Sequence, residues 1–91
     1  MITLDNIVSA IYITEGGTNT HHPYGIMQKY VHTTPRQACV NTVKHAMLDY
    51  KYVTCDKMFI SFLADRYCPA KDDPKGNKNW KVNMVKILHI Q

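Results

Sequence analysis

Several residue types that help to classify a protein are scarce in this chain of 91 residues. Glutamate occurs once, as Glu15, and three cysteines, Cys39, Cys55 and Cys68, cannot all pair within one chain. None of them lies in a Cys-x-x-Cys pair, which favours free thiols in a reducing compartment. The five histidines match no familiar zinc spacing. Neither a metal nor another cofactor is therefore expected.

Long apolar runs are also missing. Asp5, Asn6 and Ser9 interrupt the apolar residues at the N-terminus, which has no basic segment and no small-residue cleavage site after it. A cleaved signal peptide and insertion into a membrane are therefore not expected. The sequence predicts a protein that is cytoplasmic as synthesised.

Chain length and charge set broad limits. A chain of 91 residues can form one domain, 1–91, with a single modest core. No internal repeat or low-complexity segment divides it. The net charge of +4 favours anionic partners such as nucleic acid, acidic lipid headgroups or an acidic cell-wall polymer, and it does not choose among them.

Apolar residues at helical spacing predict a mainly α domain of about four helices. The first helix runs from about Leu4 to Glu15, with Thr3 or Asp5 as its cap, and ends at two glycines that permit a sharp turn. A long loop follows to Thr33, and its apolar run at 24–27 predicts either a short β segment or a tight turn.

The other three helices follow in the second half of the chain. Thr34 as N-cap, Pro35 and Gln37 predict a capping box at the start of the second. The third is expected to be capped by Thr54 or Asp56 and the fourth by Asn77, after a polar loop over 69–77. The predicted core positions on these helices are Val40, Val43, Met47, Tyr50, Met58, Phe59, Phe62, Leu63, Tyr67, Trp80, Met84, Ile87 and Leu88.

Glu15 is the best candidate for chemistry because it ends an apolar helix beside a loop rich in glycine, histidine and hydroxyl groups. A carboxylic acid that is partly removed from water keeps its proton to higher pH than an exposed one, and can donate it near neutrality. The alternative is a helix-terminal residue without a chemical role.

Two segments carry a resemblance to a known family. The run Glu15-Gly16-Gly17-Thr18-Asn19, followed by Tyr24-Gly25-Ile26-Met27-Gln28, resembles the paired signature of soluble lytic transglycosylases and goose-type lysozymes. The run from Phe59 to Pro69, leading to Asn79-Trp80, resembles small phage-type or prophage-type members. The chain departs from the family pattern at Gly16, where serine is usual, and lacks the later Ala-Glu-Asn and Tyr-Asn-Ala-Gly motifs.

The resemblance implies a lysozyme-like domain that acts on the glycan strands of peptidoglycan. It further implies cleavage of the beta-1,4 bond between N-acetylmuramic acid and N-acetylglucosamine, with Glu15 as the single general acid and base. Lytic transglycosylation is favoured over hydrolysis because the aspartates give no sequence reason to face Glu15. A holin-like pore or a virion would give such a protein access to the wall.

The resemblance also suggests residues that bind the substrate. Tyr24 offers a face for stacking on a sugar, Gln28 an amide for an acetamido group, Asn19 a polar contact, and Tyr67 a position at the groove. Packing within the loop or the core is the alternative for each of them.

Two other classes of protein fit parts of the sequence. Lysines in the C-terminal third suggest a helical nucleic-acid-binding domain, although their spacing favours a solvated surface over one recognition stripe. A phage structural protein could also keep a lysozyme-like shape without catalysis.

Overall fold

The computed structural model describes residues 2–26, 32–50 and 55–90. The described residues form four α-helices, which confirms the prediction of a mainly α domain. The helices are α1 (Leu4–Thr14), α2 (Pro35–Asp49), α3 (Asp56–Tyr67) and α4 (Pro74–Ile87), with 3-10 turns at Gly17–Asn19 and Pro23–Gly25. The predicted apolar run after α1 is thus a tight turn over its described part, and not a strand.

Helix α1 begins and ends where its capping residues predict. The Thr3 hydroxyl accepts a hydrogen bond from the Asn6 N–H at 3.1 Å. At the other end Glu15 is the C-cap, and its N–H donates to the Ile11 carbonyl at 2.9 Å. Gly16 follows with φ +109°, a conformation that few residues other than glycine adopt, so the chain leaves the helix immediately after Glu15.

Helix α2 has half of the predicted capping box. The Thr34 hydroxyl accepts from the Gln37 N–H at 3.1 Å, as expected. The Gln37 side chain does not return to the cap, because its amide donates to Asn41 Oδ1 at 2.9 Å. The buried residues of α2 are Ala38, Cys39, Val43 and Ala46. The core face of the helix is therefore centred on small residues that lie beside the predicted stripe of Val40, Val43, Met47 and Tyr50.

Helix α3 starts without a side-chain cap. Its N-cap is Cys55, which corrects the prediction of Asp56, while Thr54 lies outside the described residues. The predicted core position Met58 is 57% exposed, and Ile60 is completely buried instead. The core face of α3 therefore runs through Phe59, Ile60, Leu63 and Ala64.

The N-cap of helix α4 lies four residues before Asn77, the cap that the sequence predicts. Asp73 is the N-cap, and its carboxylate accepts from the Gly76 N–H at 3.0 Å. Pro74 occupies the first helical position, where a missing N–H costs nothing. Asn77 is instead buried at 3% exposure, and its amide donates to the Cys68 carbonyl at 2.7 Å, which ties the start of α4 to the loop.

All four helices contribute to one core. The buried apolar residues include Ile7, Val8, Ala10 and Ile11 of α1, Cys39, Val43 and Ala46 of α2, Phe59, Ile60, Leu63 and Ala64 of α3, and Trp80 and Met84 of α4. Helix α1 packs against both α2 and α4, and α3 packs against α4. The C-terminal end of α1 is thereby held next to α4 and to the 3-10 turn over Pro23–Gly25. Within the described residues no helix has the length and apolarity needed to cross a membrane.

Candidate active site

Glu15 lies half-buried at the junction between α1 and the loop that follows it. Its backbone is fixed by the last hydrogen bonds of the helix, and its side chain is directed towards α4. A carboxyl group that projects from a helix end is held more firmly than one on a free loop, because the helix restricts its backbone. The end of α1 thus places the Glu15 carboxyl at a half-buried position next to α4.

Trp80 binds the Glu15 carboxyl. The indole Nε1–H donates a hydrogen bond to Oε1 of Glu15 at 2.9 Å, across 65 positions of the chain. Trp80 is only 5% exposed, so its N–H needs a partner inside the protein, and Glu15 supplies it. An indole N–H only donates, which leaves the second oxygen, Oε2, as the position for a transferable proton.

Gly25 covers the other side of the carboxyl. A Cβ atom at this position would lie 2.9 Å from Cδ of Glu15 and 3.1 Å from Oε2. Gly25 also has φ +70°, in the left-handed region. The left-handed conformation therefore favours glycine, and an added Cβ would displace the Glu15 carboxyl, which gives a physical reason for this residue in the segment that resembles the transglycosylase signature.

Tyr67 supports Trp80 from α3. The two rings stack with centroids 5.5 Å apart and an angle of 15° between their planes. The Tyr67 hydroxyl donates to Sγ of the completely buried Cys39 at 3.2 Å. Burial raises the pKa of both the Tyr67 phenol and the Cys39 thiol, and the nearby Glu15 charge acts in the same direction on both. The Tyr67 phenol and the Cys39 thiol are therefore neutral near neutral pH.

Tyr24 forms a second aromatic pair at the same end of the domain. Its ring lies 5.0 Å from that of Tyr12, at a tilted angle of 55°. Its backbone has φ +61°, which is uncommon for a residue with a side chain and costs energy. The strained turn at Tyr24 leads directly into Gly25, the residue that lies beside the Glu15 carboxyl, and the Tyr24 ring is half-buried.

The predicted site residues have different positions in the structure. Glu15 and Tyr67 both contact Trp80, whereas the ring contact of Tyr24 is with Tyr12 and its link to Glu15 is only that it precedes Gly25. Asn19 is exposed at the end of a 3-10 turn, where its N–H donates to the Gly16 carbonyl at 2.9 Å. Gln28 lies outside the described residues.

The arrangement is suited to proton transfer by one carboxyl group. Oε1 is fixed by a donor that remains a donor in both protonation states of Glu15, and that donor stabilises negative charge when the proton leaves Oε2. The Trp80 ring that supplies this donor is held in place by its stacking on Tyr67. Among the described residues, no group of three metal-binding side chains is placed to hold an ion.

Sequence reasoning assigned Trp80 to the core and missed its contact with Glu15. Trp80 is indeed buried, but its N–H must be satisfied, and the sequence offers no indication of which acceptor lies opposite it.

Comparison of the chain with protein-family models, with curated proteins and with solved structures found no match.

Proposed function

We propose that this protein cleaves the glycan strands of peptidoglycan as a lytic transglycosylase, with Glu15 as general acid and then general base. The observation that carries the proposal is the half-buried Glu15 carboxyl, which Trp80 holds by one oxygen and leaves with the other for proton transfer. The resemblance of the flanking segments to the transglycosylase signature supplies the substrate class.

In the first step the protonated Oε2 of Glu15 donates its proton to the glycosidic oxygen. The bond from that oxygen to C1 of N-acetylmuramic acid breaks, and its electron pair stays with the leaving sugar. The N-acetyl carbonyl oxygen of the substrate stabilises the positive charge at C1. The Trp80 N–H stabilises the carboxylate formed on Glu15, because a hydrogen bond to a charged acceptor is stronger than one to a neutral acceptor.

In the second step the Glu15 carboxylate removes the proton from the 6-hydroxyl of the same sugar. That oxygen then forms a bond to C1, which yields a 1,6-anhydro product and returns Glu15 to its protonated state. These two reaction steps need one carboxyl group and no cofactor. The contact that Glu15 makes with an indole N–H, rather than with a second carboxylate, supports this single-acid scheme.

Substitution of the carboxyl by an amide tests the proposal. Glu15→Gln keeps the side-chain shape and an oxygen that accepts from Trp80, but it removes the transferable proton. We expect turnover of purified peptidoglycan to fall by at least about 100-fold, the usual range for loss of a general acid. Circular dichroism would check that the fold is retained.

Asp72→Asn is the matched control, since it makes the same chemical change at an exposed loop residue. It should leave the rate of peptidoglycan turnover unchanged. Equal rates for Glu15→Gln and the wild-type protein would contradict the proposal. A wild-type protein that is folded but leaves the polymer intact would indicate the structural role, and salt-sensitive duplex DNA binding alone would indicate the nucleic-acid-binding role.

A further inference from the structure

A groove with an apolar floor lies between α3 and α4. It encloses about 340 Å³, and Val82 and Val85 supply its accessible apolar surface, with the buried Ile60 beneath them. Val82 is 43% exposed although it is apolar. The lining of this groove does not include Glu15, Trp80, Tyr67 or Gly25, so the groove is separate from the candidate active site. Its volume is at the low end of small-molecule sites, which are mostly apolar with a few polar groups.

Three lysines line the same groove. Lys57 comes from the first turn of α3, and Lys81 and Lys86 come from α4. The lining contains no acidic residue. Lysine stems can extend an apolar wall while their ammonium groups stay in water at the rim. Three like charges around one opening repel each other, so an anion placed among them is favoured.

We propose that this groove binds the acyl chain of a soluble single-chain anionic amphiphile of the fatty-acid class. The alkyl chain would lie on Val82, Val85 and the lysine stems, above the buried Ile60, and the carboxylate would lie among the lysine ammonium groups. The complementarity has two parts, an apolar chain for the floor and a negative head for the rim. A bilayer surface fits less well because the apolar residues line a concavity instead of projecting from the domain.

Dodecanoate below its micelle concentration is a suitable probe. Titration of the isotope-labelled protein should shift the backbone amide signals of Ile60, Val82 and Val85 in a saturable manner. Dodecyltrimethylammonium, which has the same chain length and the opposite charge, should bind at least about tenfold more weakly. Absence of saturable shifts at the groove, or equal binding of the two amphiphiles, would overturn the proposal.

Two sets of variants locate the site. The triple substitution Lys57→Gln, Lys81→Gln, Lys86→Gln should weaken dodecanoate binding by at least about tenfold. A control triple removes the same charge from exposed lysines outside the groove, at Lys44, Lys71 and Lys75, and should leave the affinity unchanged. Equal losses from the two triples would mean that net charge, and not the groove, attracts the probe.

A second variant and a vesicle assay complete the test. Val82→Glu places a negative charge on the floor at a partly exposed position, so the domain should still fold and dodecanoate binding should be lost. Cosedimentation with phosphatidylglycerol vesicles tests whether the protein binds a bilayer surface instead of a single soluble amphiphile. Vesicle binding without dodecanoate binding would overturn the fatty-acid proposal in favour of a membrane surface.

Discussion

Replacement of Gly25 by alanine should disable the candidate site through one added methyl group. The new Cβ would lie 2.9 Å from Cδ of Glu15, whereas carbon atoms in contact are ordinarily about 3.5–4.0 Å apart. The carboxyl must therefore move by roughly 0.6–1.1 Å. Since it is the far end of a flexible side chain, it can move, but the 2.9 Å hydrogen bond from Trp80 is then stretched or lost.

The expected magnitudes follow from these two effects. The left-handed backbone at φ +70° costs alanine about 1–2 kcal/mol. Loss of the hydrogen bond leaves the buried Trp80 N–H without a partner, which adds about 1–3 kcal/mol. Displacement of a reacting group by about 1 Å reduces the rate by about 100-fold. We therefore expect Gly25→Ala to lose about 2–5 kcal/mol of stability and about 100-fold in peptidoglycan turnover.

Gly17→Ala is the matched control. Gly17 also has a positive φ, +57°, but a Cβ there would meet only the Tyr12 ring at 3.5 Å, an ordinary contact. Both variants bear the backbone cost, and only Gly25→Ala displaces the carboxyl. Urea unfolding and initial rates of peptidoglycan turnover would be measured for both. Equal losses of activity in the two variants would refute the reasoning.

Three other predictions concern the support of the site and the stability of the fold. Trp80→Phe keeps a ring for stacking but removes the indole N–H, so the turnover rate should fall by about 10- to 100-fold while the domain stays folded. Thermal stability should decline as pH rises above about 8.5, the ordinary thiol pKa, because burial raises the pKa of Cys39 and the unfolded chain loses its proton first. This slope should be shallower in Cys39→Ala and unchanged in Cys55→Ala, whose thiol is exposed. Asp73→Ala removes the cap of α4 and should cost about 1 kcal/mol in urea unfolding, whereas Asp72→Ala should change stability by less than about 0.5 kcal/mol.

Each of these has an outcome that contradicts it. Full activity of Trp80→Phe would mean that the indole N–H does not position the carboxyl. A pH dependence of melting that Cys39→Ala leaves unaltered would assign the alkaline decline to other groups, first the Cys68 thiol and then the Tyr67 phenol, since the pKa of each is raised too. Equal stability of the Asp73 and Asp72 variants would remove Asp73 as the cap.

The helices could be predicted from the sequence because their signals are local. Thr3 and Thr34 cap α1 and α2 as their positions indicated, and Gly16 ends α1. The start of α4 lies earlier than the polar composition of 69–77 predicts, because Asp73 and Pro74 form an ordinary start signal within that segment. Asn77 could serve as a cap in principle, but burial against the Cys68 carbonyl gives its amide another role.

The candidate site was only partly predictable. Glu15 was identified from its uniqueness and its position at a helix end, and both are properties of the sequence alone. The contacts that define its surroundings join residues far apart in the chain, as Trp80 does from α4 and Tyr67 does through its stacking on Trp80. Side-chain packing decides such contacts, and apolar periodicity shows only that these residues face inward.

The most direct measurement of the central claim is mass spectrometry of the products formed from purified peptidoglycan. The single-acid scheme for Glu15 predicts muropeptides that end in 1,6-anhydro-N-acetylmuramic acid, formed by the wild-type protein and not by Glu15→Gln. Products with free reducing ends would contradict the transglycosylase reaction in favour of hydrolysis, and intact glycan strands with a folded wild-type protein would contradict catalysis altogether.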